Sequence, residues 1–201
     1  MLQNCYINAV DKAGFEALGI RLAPLTLYHC RVLDCMASPY MRGGPIGDDD
    51  VVLFVSVCAH ATRADVDGFL HADQSRPITQ IIIDAEAKDF DAAREAVEKY
   101  FDYYTARPAR TESHRQDRTR APWWGMMKSH LTENAGYTND EAWNCVVCEA
   151  FAEAGWYSAR HGDESIVDDF ALELEAAKER GDYVPPTQEE LKARMFGGPA
   201  C

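Results

Sequence analysis

The stretch 138–160, TNDEAWNCVVCEAFAEAGWYSAR, constrains the fold more than any other part of the chain. It opens with Thr138-x-x-Glu141, a capping box in which each side chain takes a backbone N–H at the other's position. Trp143, Val147, Ala150, Ala154 and Tyr157 then recur at helical spacing, which puts them on one stripe. Val146 and Phe151 widen the stripe, while Glu141, Glu149 and Glu153 mark the wet side. Such a helix is stable only when its stripe is covered. Its stripe must be covered by the other segments or by a partner.

Those segments read as helices too. A first is expected over 11–22, with Phe15, Leu18 and Leu22 on one side, although Gly14 and Gly19 lower its propensity. A second, PLTLYHCRVLDCMAS, has Pro24 in its first turn and turns Leu27, Cys30, Val32, Leu33 and Met36 inward. It stops at Ser38-Pro39-Tyr40, because a proline drives its predecessor out of the helical region. After the loop 41–45, three acids, Asp48 to Asp50, precede VVLFVSVCAHA. Acids favour the positive end of a helix dipole, so a buried helix is expected. The β-branched residues of 51–57 suit a strand as well. One or two turns follow over 65–73 around Phe69 and Leu70. The apolar run 78–83 reads as helix or strand.

The next helix, AEAKDFDAAREAVEKYFDYYTA, is faced by Phe90, Ala93, Val97, Tyr100, Phe101 and Tyr104, with Arg94 and Glu98 spaced as an ion pair. Then comes the sharpest change of composition. Residues 107–122, RPARTESHRQDRTRAP, hold five arginines, two acids, two prolines and no large apolar side chain. Such a tract buries too little to repay its ordering and is expected to be an exposed basic linker. It divides the chain into an N-terminal helical part, 1–106, and an acidic C-terminal helical part, 123–201. In the latter, WWGMMKSHLTENAG is a helix that turns Trp123, Met126, Met127 and Leu131 inward and ends at Gly136. Beyond the capped helix, 163–180 is amphipathic, with Ile166, Phe170, Leu172, Leu174 and Ala177. Thr187-x-x-Glu190 opens a short last helix. The fold class is therefore all-α, with about six to eight helices.

Totals narrow the function. At 201 residues and 47% hydrophobic, the chain can bury a real core. A net charge of −13 opposes phosphate-backbone binding. The arginines of the linker have a nearer partner in the eleven acids between Asp140 and Arg180, so nucleic acid is not the expected ligand. No apolar run reaches the length of a membrane span, and the N-terminus lacks the pattern of a secretory signal. Seven cysteines, an odd and scattered set, fit a reducing cytoplasm.

No catalytic constellation stands out. Cys145-Val-Val-Cys148 has the spacing of a redox or zinc pair, but lies inside the expected helix, past its cap and among Val and Ala. Core packing is the reading preferred, and a small zinc- or thiol-dependent regulator using Cys145 and Cys148 is the alternative. Six histidines, at 29, 60, 71, 114, 130 and 161, form no ligand or triad motif. Asp168, Asp169, Glu173 and Glu175 read as a solvated face. No metal or cofactor is expected. Trp123, Trp124, Met126 and Met127 either close the core or, with Trp143, offer a surface to an apolar peptide. These five are the candidate partner-binding residues.

The Pro24-Leu25-Thr26-Leu27 helix ends at Ser38-Pro39-Tyr40. A Gly/Asp-rich loop introduces the apolar helix of 51–59. A helix ends in Tyr103-Tyr104 before the Arg/Pro-rich tract, and a Glu141-Ala142-Trp143 helix is followed by an acidic one. This order of segments resembles the tail assembly chaperones encoded beside the tape-measure gene of long-tailed phages. The cysteines and the basic tract depart from that pattern. The resemblance implies a non-enzymatic protein of the bacterial host's cytoplasm. It would hold a tape-measure-like helical partner soluble during tail assembly, with self-association a further expectation. A structural component or adaptor of the tail or head module is the alternative. The resemblance carries no catalytic residues.

Overall fold

The computed structural model describes residues 8–9, 14–71, 89–107, 109–110, 122–162 and 166–167. The chain divides into two compact units, Met1–Ile166 and Val167–Cys201, and Val167 is the only described residue of the second. Among the described residues the chain is mostly helical, with eight helices and four very short strands. In order these are β1 (Phe15–Ala17), β2 (Ile20–Leu22), α1 (Leu27–Cys35), α2 (Pro39–Arg42), α3 (Asp48–Cys58), α4 (Arg63–His71), α5 (Phe90–Thr105), β3 (Ala109–Arg110), α6 (Trp123–Asn134), α7 (Asn139–Asn144), α8 (Val147–Arg160) and β4 (Ile166–Val167). No helix among these residues is long and apolar enough to cross a membrane.

The helix expected over 11–22 is instead a β-hairpin. Phe15 pairs with Leu22 and Ala17 with Ile20, antiparallel, around a two-residue loop. Both loop residues, Leu18 and Gly19, have positive φ, 52° and 71°. That is the turn whose twist suits a two-residue hairpin. The glycine that weakened a helix is what makes the turn. Phe15 then sets its ring on the α5 aromatics, with centroids 5.4 Å from Tyr100 and 5.3 Å from Tyr103.

The run at 51–57 is helix. Asp50 turns back to take the Gly47 N–H at 2.8 Å, closing the N-terminus of α3. This helix is nearly encased: Val51, Val52, Phe54, Val55, Val57 and Cys58 are all buried. Phe54 alone, fully covered, contributes about 2–3 kcal/mol of apolar burial. The strand reading failed because β-branched residues tolerate a helix when every side is buried. On α5, Arg94 does not pair with Glu98. It reaches Asp91 at 2.7 Å and Asp48, at the start of α3, at 3.1 Å. Met36, expected inward, is 42% exposed, because α1 ends at Cys35 and the chain reverses through Ala37 at φ 59°.

The long helix foreseen over 138–160 is two helices. Its capping box forms as expected, with the Glu141 N–H on Thr138 Oγ1 and the Thr138 N–H on Glu141 Oε2. Helix α7 then stops at Asn144, and Cys145 and Val146 are extended, with ψ 131° and 138°. The cause is non-local. Val146 forms an antiparallel bridge with Thr26. The Leu27 N–H donates to the Cys145 carbonyl at 3.1 Å, and the Val147 N–H to the Leu25 carbonyl at 2.8 Å.

One core results. Leu27, Leu33, Val55, Val97 and Tyr100 from before the basic tract join Leu131, Trp143, Val147 and Phe151 from after it. Helices on the two sides of 107–122 thus share a single hydrophobic cluster. Most of the tract itself lies outside the described residues, as do the run 78–83 and the helices expected after 167. At 166–167, where a helix was expected, the chain is strand.

Candidate functional site

The five candidate binding residues do not form one surface. Trp123 and Trp124 are neighbours on α6 and so point in directions about 100° apart. Trp123 stacks on Phe151 of α8, with centroids 5.4 Å apart and planes 25° apart. Trp124 turns toward α1, donating its indole N–H to Asp34 Oδ2 at 3.2 Å, and lies 6.0 Å from the Trp143 ring. Trp143 is buried, edge-on to Tyr28 at 5.9 Å. Met127 packs half-buried on the core, whereas Met126, expected inward, is 38% exposed. Trp124 and Trp143 are therefore brought together, while Trp123 belongs to a different cluster.

That second cluster is a cleft of about 290 Å³. Its walls come from four helices and the residues just after α5: Tyr40 and Met41 from α2, Phe101 and Thr105 from α5, Arg107, Trp123 from α6 and Phe151 from α8. Tyr40 is fixed by ring contacts to Phe54 at 4.7 Å and Phe101 at 6.3 Å. Burial pushes its phenol up to about 12, so it stays protonated. Arg107 holds its guanidinium 5.3 Å from the Phe151 ring centroid, a cation–π contact. Thr105 spends its hydroxyl on the Phe101 carbonyl at 2.7 Å. The lining is thus mostly aromatic, with one cation, the Arg107 guanidinium, resting on the Phe151 ring. Of these residues only Trp123 belongs to the candidate set read from the sequence. No local spacing connects Tyr40, Phe101 and Phe151, since the tertiary fold alone brings them together.

The ionisable groups with candidate chemistry are engaged elsewhere. His29, wholly buried, receives the Thr26 N–H on Nδ1 at 3.0 Å and gives its Nε2 proton to the His60 carbonyl at 2.8 Å. An N–H on one side and a carbonyl on the other fix the neutral tautomer. Burial lowers its pKa to about 4. It closes the capping box of α1 in the place usually taken by Glu or Gln. Tyr28 donates its hydroxyl to Asp67.

The cysteine pair straddles a break in the expected helix. Cys145 does not lie within a helix: it precedes the N-cap Val146, and Cys148 sits in the first turn of α8. That is the position from which a helix dipole lowers a thiol's pKa. Here burial wins. It pushes Cys145 up to about 12 and Cys148 to about 11, with Glu149 adding to both. Both therefore stand as protonated thiols in the core near neutral pH. Among the described residues no three His, Cys, Asp or Glu side chains gather as a metal site would.

No family model, curated protein or solved structure matches the chain.

Proposed function

We propose that this is a non-enzymatic binding protein that holds an amphipathic helical segment of a partner, in the manner of a phage tail assembly chaperone. The observation that carries the reading is the aromatic cleft of Tyr40, Phe101, Trp123 and Phe151, with room for a large apolar side chain. Helix recognition works through such anchors: one or two apolar residues of the ligand enter a groove and the rest of its face lies along the rim. A net charge of −13 supports the same reading, because it keeps a carrier of apolar surface dispersed. The engagement of His29, Tyr28, Cys145 and Cys148 in the fold favours binding over chemistry.

The test uses amphipathic peptides of about 20 residues that tile a tape-measure protein, titrated against the intact chain. At least one is expected to bind, and Trp123→Ala to weaken it by about tenfold or more, as loss of an aromatic anchor does. Absence of binding by every peptide, or binding indifferent to Trp123→Ala, overturns the proposal.

A further inference from the structure

Phe151 of α8 lines the aromatic cleft, yet it is only 6% exposed. Two groups rest on its ring. The Trp123 indole is stacked at 5.4 Å with planes 25° apart, and the Arg107 guanidinium lies 5.3 Å from the centroid. A ring has two faces, so a ligand that reaches for Phe151 must replace one of these groups. The indole is not the one to leave: Trp123 opens α6 and packs against the hydrophobic core. Arg107 is exposed and lies beyond the end of α5 at Thr105, past the cap residue Ala106. Its side chain can turn into water by rotation about its own bonds, with no helix moved.

We infer that the Arg107 side chain is the cleft's own occupant, which a partner's apolar anchor displaces from Phe151 in order to seat. The inference rests on the reading of the cleft as the partner site and adds its regulation. A guanidinium suits the role. It is planar and weakly hydrated, so it lies on an aromatic face in place of an apolar group. An exposed contact of this kind favours the seated position by about two- to fivefold. The open form is then about a third to a sixth of the molecules. A ligand that needs it binds about three- to sixfold more weakly than it would bind a cleft left open. Arg107 thus keeps Phe151 covered while no partner is present, and gives way to a ligand of modest affinity.

The experiment titrates phenylnaphthylamine, a neutral aromatic probe whose emission rises in apolar surroundings, against the intact chain, Arg107→Ala and Arg107→Gln. Each titration is repeated with Trp123→Ala added, and thermal midpoints report that every variant is folded. Both Arg107 variants are expected to bind the probe about three- to sixfold more tightly than the native chain. Gln keeps much of the bulk of arginine and loses its charge, so its gain assigns the effect to the cation–π contact. Trp123→Ala is expected to weaken the probe by about tenfold in each background. Unchanged or weaker binding by Arg107→Ala, with Trp123→Ala still weakening the probe, overturns the inference and leaves the cleft standing. A gain in Arg107→Ala without one in Arg107→Gln overturns it too, since bulk alone is then at work. No binding, or binding indifferent to Trp123→Ala in every background, overturns the inference together with the cleft as an apolar site.

Discussion

Leu27 and Val147 complete each other's helix starts. Each is the first residue of its helix, and each donates its N–H to the carbonyl two residues before the other: Leu27 to Cys145 at 3.1 Å, Val147 to Leu25 at 2.8 Å. First-turn N–H groups have no partner inside their own helix. Here two such donors are satisfied reciprocally, across 120 positions of sequence, and the long capped stretch is broken to allow it.

Val147→Pro isolates that link. Proline is welcome at a first helical position, and Val146 already has the extended conformation required before it. The variant is expected to keep α8 and to lose about 1–3 kcal/mol of stability, since the buried Leu25 carbonyl is left without its donor. Denaturant unfolding measures the loss. Hydrogen exchange supplies a second readout: the Leu27 and Val147 amides should exchange as slowly as helix interiors, whereas fraying helix starts would exchange quickly.

His29 makes stability depend on pH. Folding lowers its pKa from 6.5 to about 4. Between those values the unfolded chain binds more protons than the native one. Stability is therefore fully present above pH 6.5 and falls as pH drops toward 4, by roughly 3 kcal/mol from this group. Unfolding curves of the native chain and of His29→Gln should differ most near pH 7 and converge near pH 4. Parallel profiles would remove His29 from the account.

Ala37 occupies a place suited to glycine. With φ at 59° it ends α1, its N–H on the Asp34 carbonyl at 3.0 Å and the Ser38 N–H on Leu33 at 2.9 Å. A side chain in this left-handed conformation costs about 1 kcal/mol relative to glycine. Ala37 is exposed, so nothing packed is lost on replacement. Ala37→Gly is expected to raise stability by about 0.5–1 kcal/mol, a gain that thermal unfolding resolves. A decrease would contradict the conformation.

The thiols should separate by burial. Cys35 is exposed, while Cys30, Cys58, Cys145 and Cys148 are buried. Brief alkylation near neutral pH, followed by peptide mass analysis, should label Cys35 and spare those four until the chain is unfolded. Fast labelling of Cys145 and Cys148 would instead restore the thiol-active reading.

Much of the helical framework was legible because its signals are local. Asp48 to Asp50 announced α3, the aromatic stripe from Phe90 to Tyr104 announced α5, and Gly136, at φ 77°, marked the end of α6. What escaped depends on distant partners. The pause at Cys145 and Val146 exists only because Leu25 and Leu27 lie alongside. The hairpin at Phe15–Leu22 was hidden because Phe15, Leu18 and Leu22 fit helical spacing, and only Gly14 and Gly19 spoke against it. The outward turn of Met126 reflects what α6 packs against, which its own residues do not encode. The cleft escaped for the same reason: Tyr40, Phe101, Trp123 and Phe151 were each visible as apolar residues, yet none pointed to the others.

The most direct test of the binding account is methyl NMR of the methionines while a tape-measure helical peptide is added. Met41 lines the cleft, and Met126 lies exposed on α6 outside it. If the cleft binds the peptide, the Met41 methyl shifts saturably with Met126 nearly still, and the Met41 response is lost in Trp123→Ala. A peptide that binds while Met41 stays unmoved would contradict binding in the cleft.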